Sequence, residues 1–68
     1  MKLKELLSNI ALDQRICVCD TFGAHNDSAP LREVPLFTLV SDLDREVSKI
    51  YYDDDDDTIT IELEDELD

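Results

Sequence analysis

The stretch Tyr51-Tyr52, then Asp53, Asp54, Asp55, Asp56 and Asp57, then Thr58-Ile59-Thr60-Ile61, constrains this chain more than any other. Five adjacent carboxylates repel one another, and unpaired charges are too costly to bury. The run therefore belongs at the surface. A helix reaching residue 52 would set its negative dipole end against it, which is unfavourable. Beyond the run, Ile59, Ile61 and Leu63 alternate with Thr58, Thr60, Glu62 and Glu64, the pattern of a strand with one buried face. The bland reading of 53–57 is a hairpin turn. Asp suits turns because its side chain bonds nearby backbone N–H groups, and a charged tip discourages edge-to-edge aggregation. That reading accounts for one or two aspartates better than for five.

The charge is unevenly spread. The 68 residues carry a net −12. Residues 1–52 hold eight acidic and six basic residues, net −2, whereas 53–68 hold ten acidic and no basic residues. A near-neutral body with an anionic end repels nucleic acid and membranes and attracts basic surfaces. The length allows one domain, 1–68, with an acidic tail fraying from about 65. The apolar fraction of 43% is enough for a modest core. No apolar run has transmembrane length, and Met1 to Ile10 lacks the continuous apolar stretch of a signal peptide.

Leu3, Leu6, Leu7 and Ile10 predict an amphipathic helix over 2–11. In residues 15–20, Ile16 and Val18 oppose Cys17 and Cys19 and neither face is polar, so a central strand is expected. Residues 21–30 hold the only glycine and read as a loop; 31–34, bounded by Pro30 and Pro35, read as a short edge strand. Residues 36–52 admit two readings. Phe37, Val40, Leu43, Val47 and Ile50 have helical spacing, with Ser41 and Asp44 placed as a cap. Alternatively, a short helix or turn near 37–43 precedes a strand over 45–52, with a bulge to reconcile Val47 and Ile50. The fold class expected is α+β: an N-terminal helix on a small, mostly antiparallel sheet of three to four strands, with a second short helix.

Cys17 and Cys19 would share a strand face with Cα atoms roughly 6.6 Å apart, long for a disulfide. Read as free thiols, they imply a reducing cytoplasm. With His25, and Asp20 or Asp27 as a fourth ligand, they also form a C-x-C-x5-H pattern, weaker than the paired C-x2-C knuckles of structural zinc sites. Asp53, Asp55, Asp57 and Glu64 fall at calcium-loop spacing. Thr58 stands where such a loop needs glycine, and no long helix follows Glu64. No cofactor or resident metal is expected. A single histidine, no phosphate-cradling glycine loop and no nucleophile motif give catalysis little to assemble. The third reading of the run treats Asp53, Asp54, Asp55, Asp56, Asp57, Glu62, Glu64, Asp65 and Glu66 as one partner-binding surface. Carboxylates two apart on a strand face lie roughly 6.6 Å apart, comparable with phosphates along a nucleic-acid strand. Tyr52 would serve as an aromatic anchor, with one tyrosine of the pair buried and the other exposed.

The residues 1–10, 15–20 and 43–63 together resemble small acidic proteins encoded by bacteriophages and mobile elements of Gram-positive bacteria. The resemblance rests on the helical start, a strand ending in Asp20, and a hairpin of Arg45-Glu46-Val47, Ile50-Tyr51, an acidic turn, and Ile59 with Ile61. It favours the strand reading of 45–52. A weaker resemblance, on the helical start, the acidic segment, 58–60 and 66–67, is to small acidic anti-CRISPR proteins. What the two imply is a non-enzymatic inhibitor in the bacterial host cytoplasm. It would bind the basic nucleic-acid site of a host defence protein, such as an RNA-guided nuclease, by mimicking DNA. An accessory phage module with a merely solubilising turn, and a small metal-binding regulator, are the competing classes.

Overall fold

A computed structural model of the chain describes residues 1–35 and 39–64. It is dominated by a sheet. The elements in chain order are a short helix α1 (Leu3–Leu7), then strands β1 (Arg15–Asp20), β2 (Gly23–Ala24), β3 (Ala29–Pro30), β4 (Val47–Asp53) and β5 (Thr58–Leu63). The sheet runs β2-β1-β5-β4, with β3 also paired to β1. The central pair is parallel, Ile16 opposite Ile59 and Val18 opposite Ile61. All other pairings between these strands are antiparallel.

Three expectations are corrected here. The second helix is absent among the described residues: Val40–Asp42 is a single 3-10 turn, and 36–38 lie outside the described residues. The backbone groups a helix would use internally are taken elsewhere. Lys4 N–H donates to the Leu43 carbonyl, Leu3 N–H to that of Arg45, and Val47 N–H to that of Met1. The sheet has five strands among the described residues, not three or four, and its centre is parallel. The extra strands are the two-residue β2 and β3, inside the segment read as a loop, while the strand expected at 31–34 is a 3-10 turn, Leu31–Glu33. The third correction is α1, which stops at Leu7 instead of 11. Ser8 Oγ and Asn9 Nδ2 both bond the Glu5 carbonyl, at 2.7 and 2.9 Å, so side chains compete for the acceptor that would propagate the helix.

The core forms on one face of the sheet. Leu3, Ile16, Val18, Leu39 and Ile61 are fully buried, with Val34 and Leu63 nearly so; Leu6, Leu7, Ile10, Val47 and Ile59 pack around them. Strands β1 and β5 lie where the sequence pattern set them. Strand β4 carries the expected bulge, as a register shift between Val47 and Lys49.

The edge of β1 away from β5 is completed by a side chain. Between the short β2 and β3, the Asn26 amide accepts from Val18 N–H through Oδ1 at 2.8 Å and donates to the Ile16 carbonyl through Nδ2 at 3.3 Å. It thus stands in for a peptide unit of a missing strand, and no central N–H or C=O at this gap is orphaned.

Candidate functional site

Of the run 53–57, Asp53 ends β4 and residues 54–57 make the turn to β5; all five aspartates are exposed. Its shape is held from within. Asp53 accepts from Asp55 N–H at 2.9 Å, an Asx turn. Asp57 adopts φ 51°, a left-handed conformation that Asp tolerates better than most residues. Tyr52 Oη donates to Asp57 Oδ1 at 2.5 Å, and Gln14 Nε2 to the Asp57 carbonyl at 2.8 Å. The bond to Asp57 and the surrounding carboxylates push the Tyr52 phenol pKa up, so it stays protonated. The carboxylates of Asp53 and Asp57 therefore build the turn. Those of Asp54, Asp55 and Asp56 bond nothing among the described residues and form no ion pair there.

Tyr51 and Tyr52 point to opposite faces of β4, and both are about half exposed, 48% and 58%. The expectation of one buried tyrosine is thus corrected: among the described residues the sheet ends at β4, and no element covers either face there. Tyr51, Tyr52, Asp53, Asp54, Asp55 and Thr60 line a shallow depression of about 520 Å³.

The rest of the expected acidic surface lies apart. Glu62 and Glu64 sit at the far end of β5, about 20 Å from the turn at strand rise. Glu62 is half-buried opposite Lys49, with Tyr51 Oη 3.5 Å from its Oε2. Glu64 is exposed, but its carbonyl accepts from Arg45 Nη2 at 2.7 Å. Asp65 and Glu66 lie outside the described residues.

A second charged cluster escaped sequence reasoning. His25 sits between two carboxylates, Nδ1 at 2.7 Å from Asp42 Oδ2 and Nε2 at 2.8 Å from Asp20 Oδ2. Arg45 Nη1 completes the group, 3.1 Å from Asp20 and 3.3 Å from Asp42. The two aspartate side chains are only 7% exposed. A neutral imidazole has one donor and one acceptor nitrogen, so two carboxylates at bonding distance select the imidazolium. Burial alone lowers the His25 pKa; the bonds to Asp42 and Asp20 outweigh it, and the net shift is upward. Asp20 also accepts from Phe22 N–H at 2.8 Å. That bond, with Arg45 and His25, outweighs the opposing effect of burial and lowers its carboxyl pKa to about 2.

This network bears on the metal reading. Both His25 nitrogens are committed to carboxylates, leaving none for a metal. Cys17 and Cys19 are half-buried free thiols on the sheet face opposite the core, with Cys17 Sγ on the Asn26 carbonyl at 3.6 Å. Burial is the first cause raising both thiol pKa values, which keeps them unreactive. Among the described residues no group of three or more metal-type ligands is assembled, and no helix is long and apolar enough to cross a membrane. What fold and site define is a small sheet-dominated domain, clamped by a buried ion network, that carries an anionic and aromatic hairpin. No family model, curated protein or solved structure matches the chain.

Proposed function

We propose that the protein is a non-enzymatic inhibitor that applies its β4–β5 turn to the basic nucleic-acid site of another protein. The observation that carries this reading is the set of three exposed carboxylates, Asp54, Asp55 and Asp56, beside two half-exposed tyrosines, with no cation among the described residues paired to them. Self-repulsion within the run is relieved when a partner supplies Lys or Arg, and tyrosine faces accept the same cations. Asp53 and Asp57 hold the turn in shape, so less of it must be ordered on binding. The weaker resemblance to small acidic anti-CRISPR proteins supports an RNA-guided nuclease as the target, with the carboxylates occupying the place of DNA phosphates.

The test is binding to such a nuclease–guide complex at rising salt, with and without competing duplex DNA carrying its recognition motif. Wild type is compared with an Asp54→Asn, Asp55→Asn, Asp56→Asn variant that keeps the two turn-forming aspartates. Salt-sensitive binding that DNA displaces and the variant lacks supports the reading. Equal binding by both proteins, or none by either, rejects it and leaves the turn a solubilising feature of an accessory module.

A further inference from the structure

Strand β4 ends the sheet, and its outer edge is only partly covered. Residues 1–3 run antiparallel along its start: Lys2 bridges Glu46, Leu3 N–H donates to the Arg45 carbonyl, and Val47 N–H donates to that of Met1. Beyond Val47, no described residue pairs with this edge as far as Asp53. Which backbone groups face outward follows from the register. Glu64 N–H donates to the Glu46 carbonyl, so the even-numbered residues of β5 address β4. Their partners are Lys49, Tyr51 and Asp53. The residues between, Ile50 and Tyr52, turn their N–H and C=O groups to the open side. Both also keep large apolar surface exposed, 50% and 58%.

We propose that this edge pairs antiparallel with the same edge of a second copy, with Tyr51 on the two-fold axis. The register is selected on both sides. Bonded pairs must match outward-facing residues, which allows Ile50 opposite the partner's Ile50, Ile50 opposite the partner's Tyr52, or Tyr52 opposite the partner's Tyr52. The first sets the partner's Asp53 on Val47, where Met1 already lies. The third carries the pairing past the end of β4, setting Lys49 opposite the partner's Asp55 in the turn, where no strand continues the ladder. The second sets the partner's Asp53 opposite Lys49, which makes no ion pair among the described residues of its own chain. It also packs Ile50 against the partner's Tyr52, an aromatic–branched pair of the kind that stabilises antiparallel ladders.

The charge of each copy does not oppose this pairing. The antiparallel arrangement sends the two acidic turns to opposite ends, roughly 25 Å apart at strand rise, which is about three Debye lengths at physiological salt. The product is one continuous sheet with both α1 helices on the same face and the β4 edges closed against each other. The proposal does not rest on the partner reading of the turn.

Sedimentation equilibrium over a concentration series tests it. Wild type is expected to associate to a dimer in the micromolar-to-millimolar range. Ile50→Pro removes an outward N–H without touching a β4–β5 bond, so it is expected to stay monomeric with its circular dichroism unchanged. Lys49→Asp and Asp53→Lys are each expected to weaken association by about tenfold or more, and the double reversal to restore it. A wild type monomeric up to millimolar concentration, or a folded Ile50→Pro that associates like wild type, overturns the proposal. Should Ile50→Pro unfold, the charge pair decides: a double reversal no tighter than the singles overturns it.

Discussion

The two charged regions of this protein use the same residue type in opposite ways. Around His25, two buried aspartates are met by an imidazolium and a guanidinium at 2.7 to 3.3 Å. At the turn, the side chains of three aspartates bond nothing among the described residues. The buried pair ties together the end of β1, the turn Val40–Asp42 and the approach to β4, so its charges act on the fold. The exposed three bond no other described element, so apart from Asp54 helping to raise the Tyr52 pKa their charges act on what approaches. A count of acidic residues merges these two populations; their surroundings separate them.

Removing one side of the buried network is the severest test of that contrast. Arg45→Met is expected to cost about 3 kcal/mol, because it leaves buried carboxylates under-compensated. Urea unfolding reads the loss; a variant within experimental error of wild type would mean the network is ornamental. Next in size is an exchange of amide for carboxylate. Asn26→Asp is expected to cost about 2 kcal/mol, because the donor to the Ile16 carbonyl becomes an acceptor facing it. The reverse exchange at the turn, Asp54, Asp55 and Asp56 to Asn, is expected to leave stability unchanged or slightly raised, with binding lost. If both exchanges moved the melting temperature alike, the distinction between the regions would collapse.

The pH profile sharpens the comparison further. The folded pKa of His25 lies above its unfolded value, so its contribution is complete below about pH 6.5. It fades as pH rises through the elevated folded value. Asp20 runs the other way. Its pKa is lowered to about 2, so its contribution holds above the ordinary carboxylate range and is lost as pH falls toward 2. Thermal melts should give a plateau with a decline on each side. His25→Gln should flatten the alkaline decline, while the turn variant should keep both. The smallest expected effect belongs to the ion pair between Lys4 and Asp44, at 2.8 Å but with both side chains more than half exposed. Lys4→Ala should leave the melting temperature within error of wild type, since an exposed pair is screened by solvent.

The legible parts of the fold are those where one face of an element repeats. Strands β1 and β5 announce themselves through Ile16-Val18 and Ile59-Ile61-Leu63, and the bulge in β4 through the parity clash of Val47 and Ile50. Strands β2 and β3 are two residues each, too short to hold a period. The helical spacing from Phe37 to Ile50 is real in the sequence, yet residues 43–47 give their backbone bonds to 1–4 and 64. The acidic turn is plain from its composition. The ion network is not, because Asp20, His25, Asp42 and Arg45 are brought together by tertiary contacts between turns and strand ends. The one available hint was that a lone histidine lies five residues after a strand-ending aspartate.

The parallel pairing of β1 with β5 also bears on synthesis. A ribosome delivers β1 long before β5, so a strand with no polar face waits without its central neighbour while residues 21–57 are made. The sheet closes only once 58–63 have emerged, so β1 gains its central neighbour from the last of the described strands to be made. A fragment ending before Thr58 is expected to have no stable sheet, whatever the local propensities of its earlier strands.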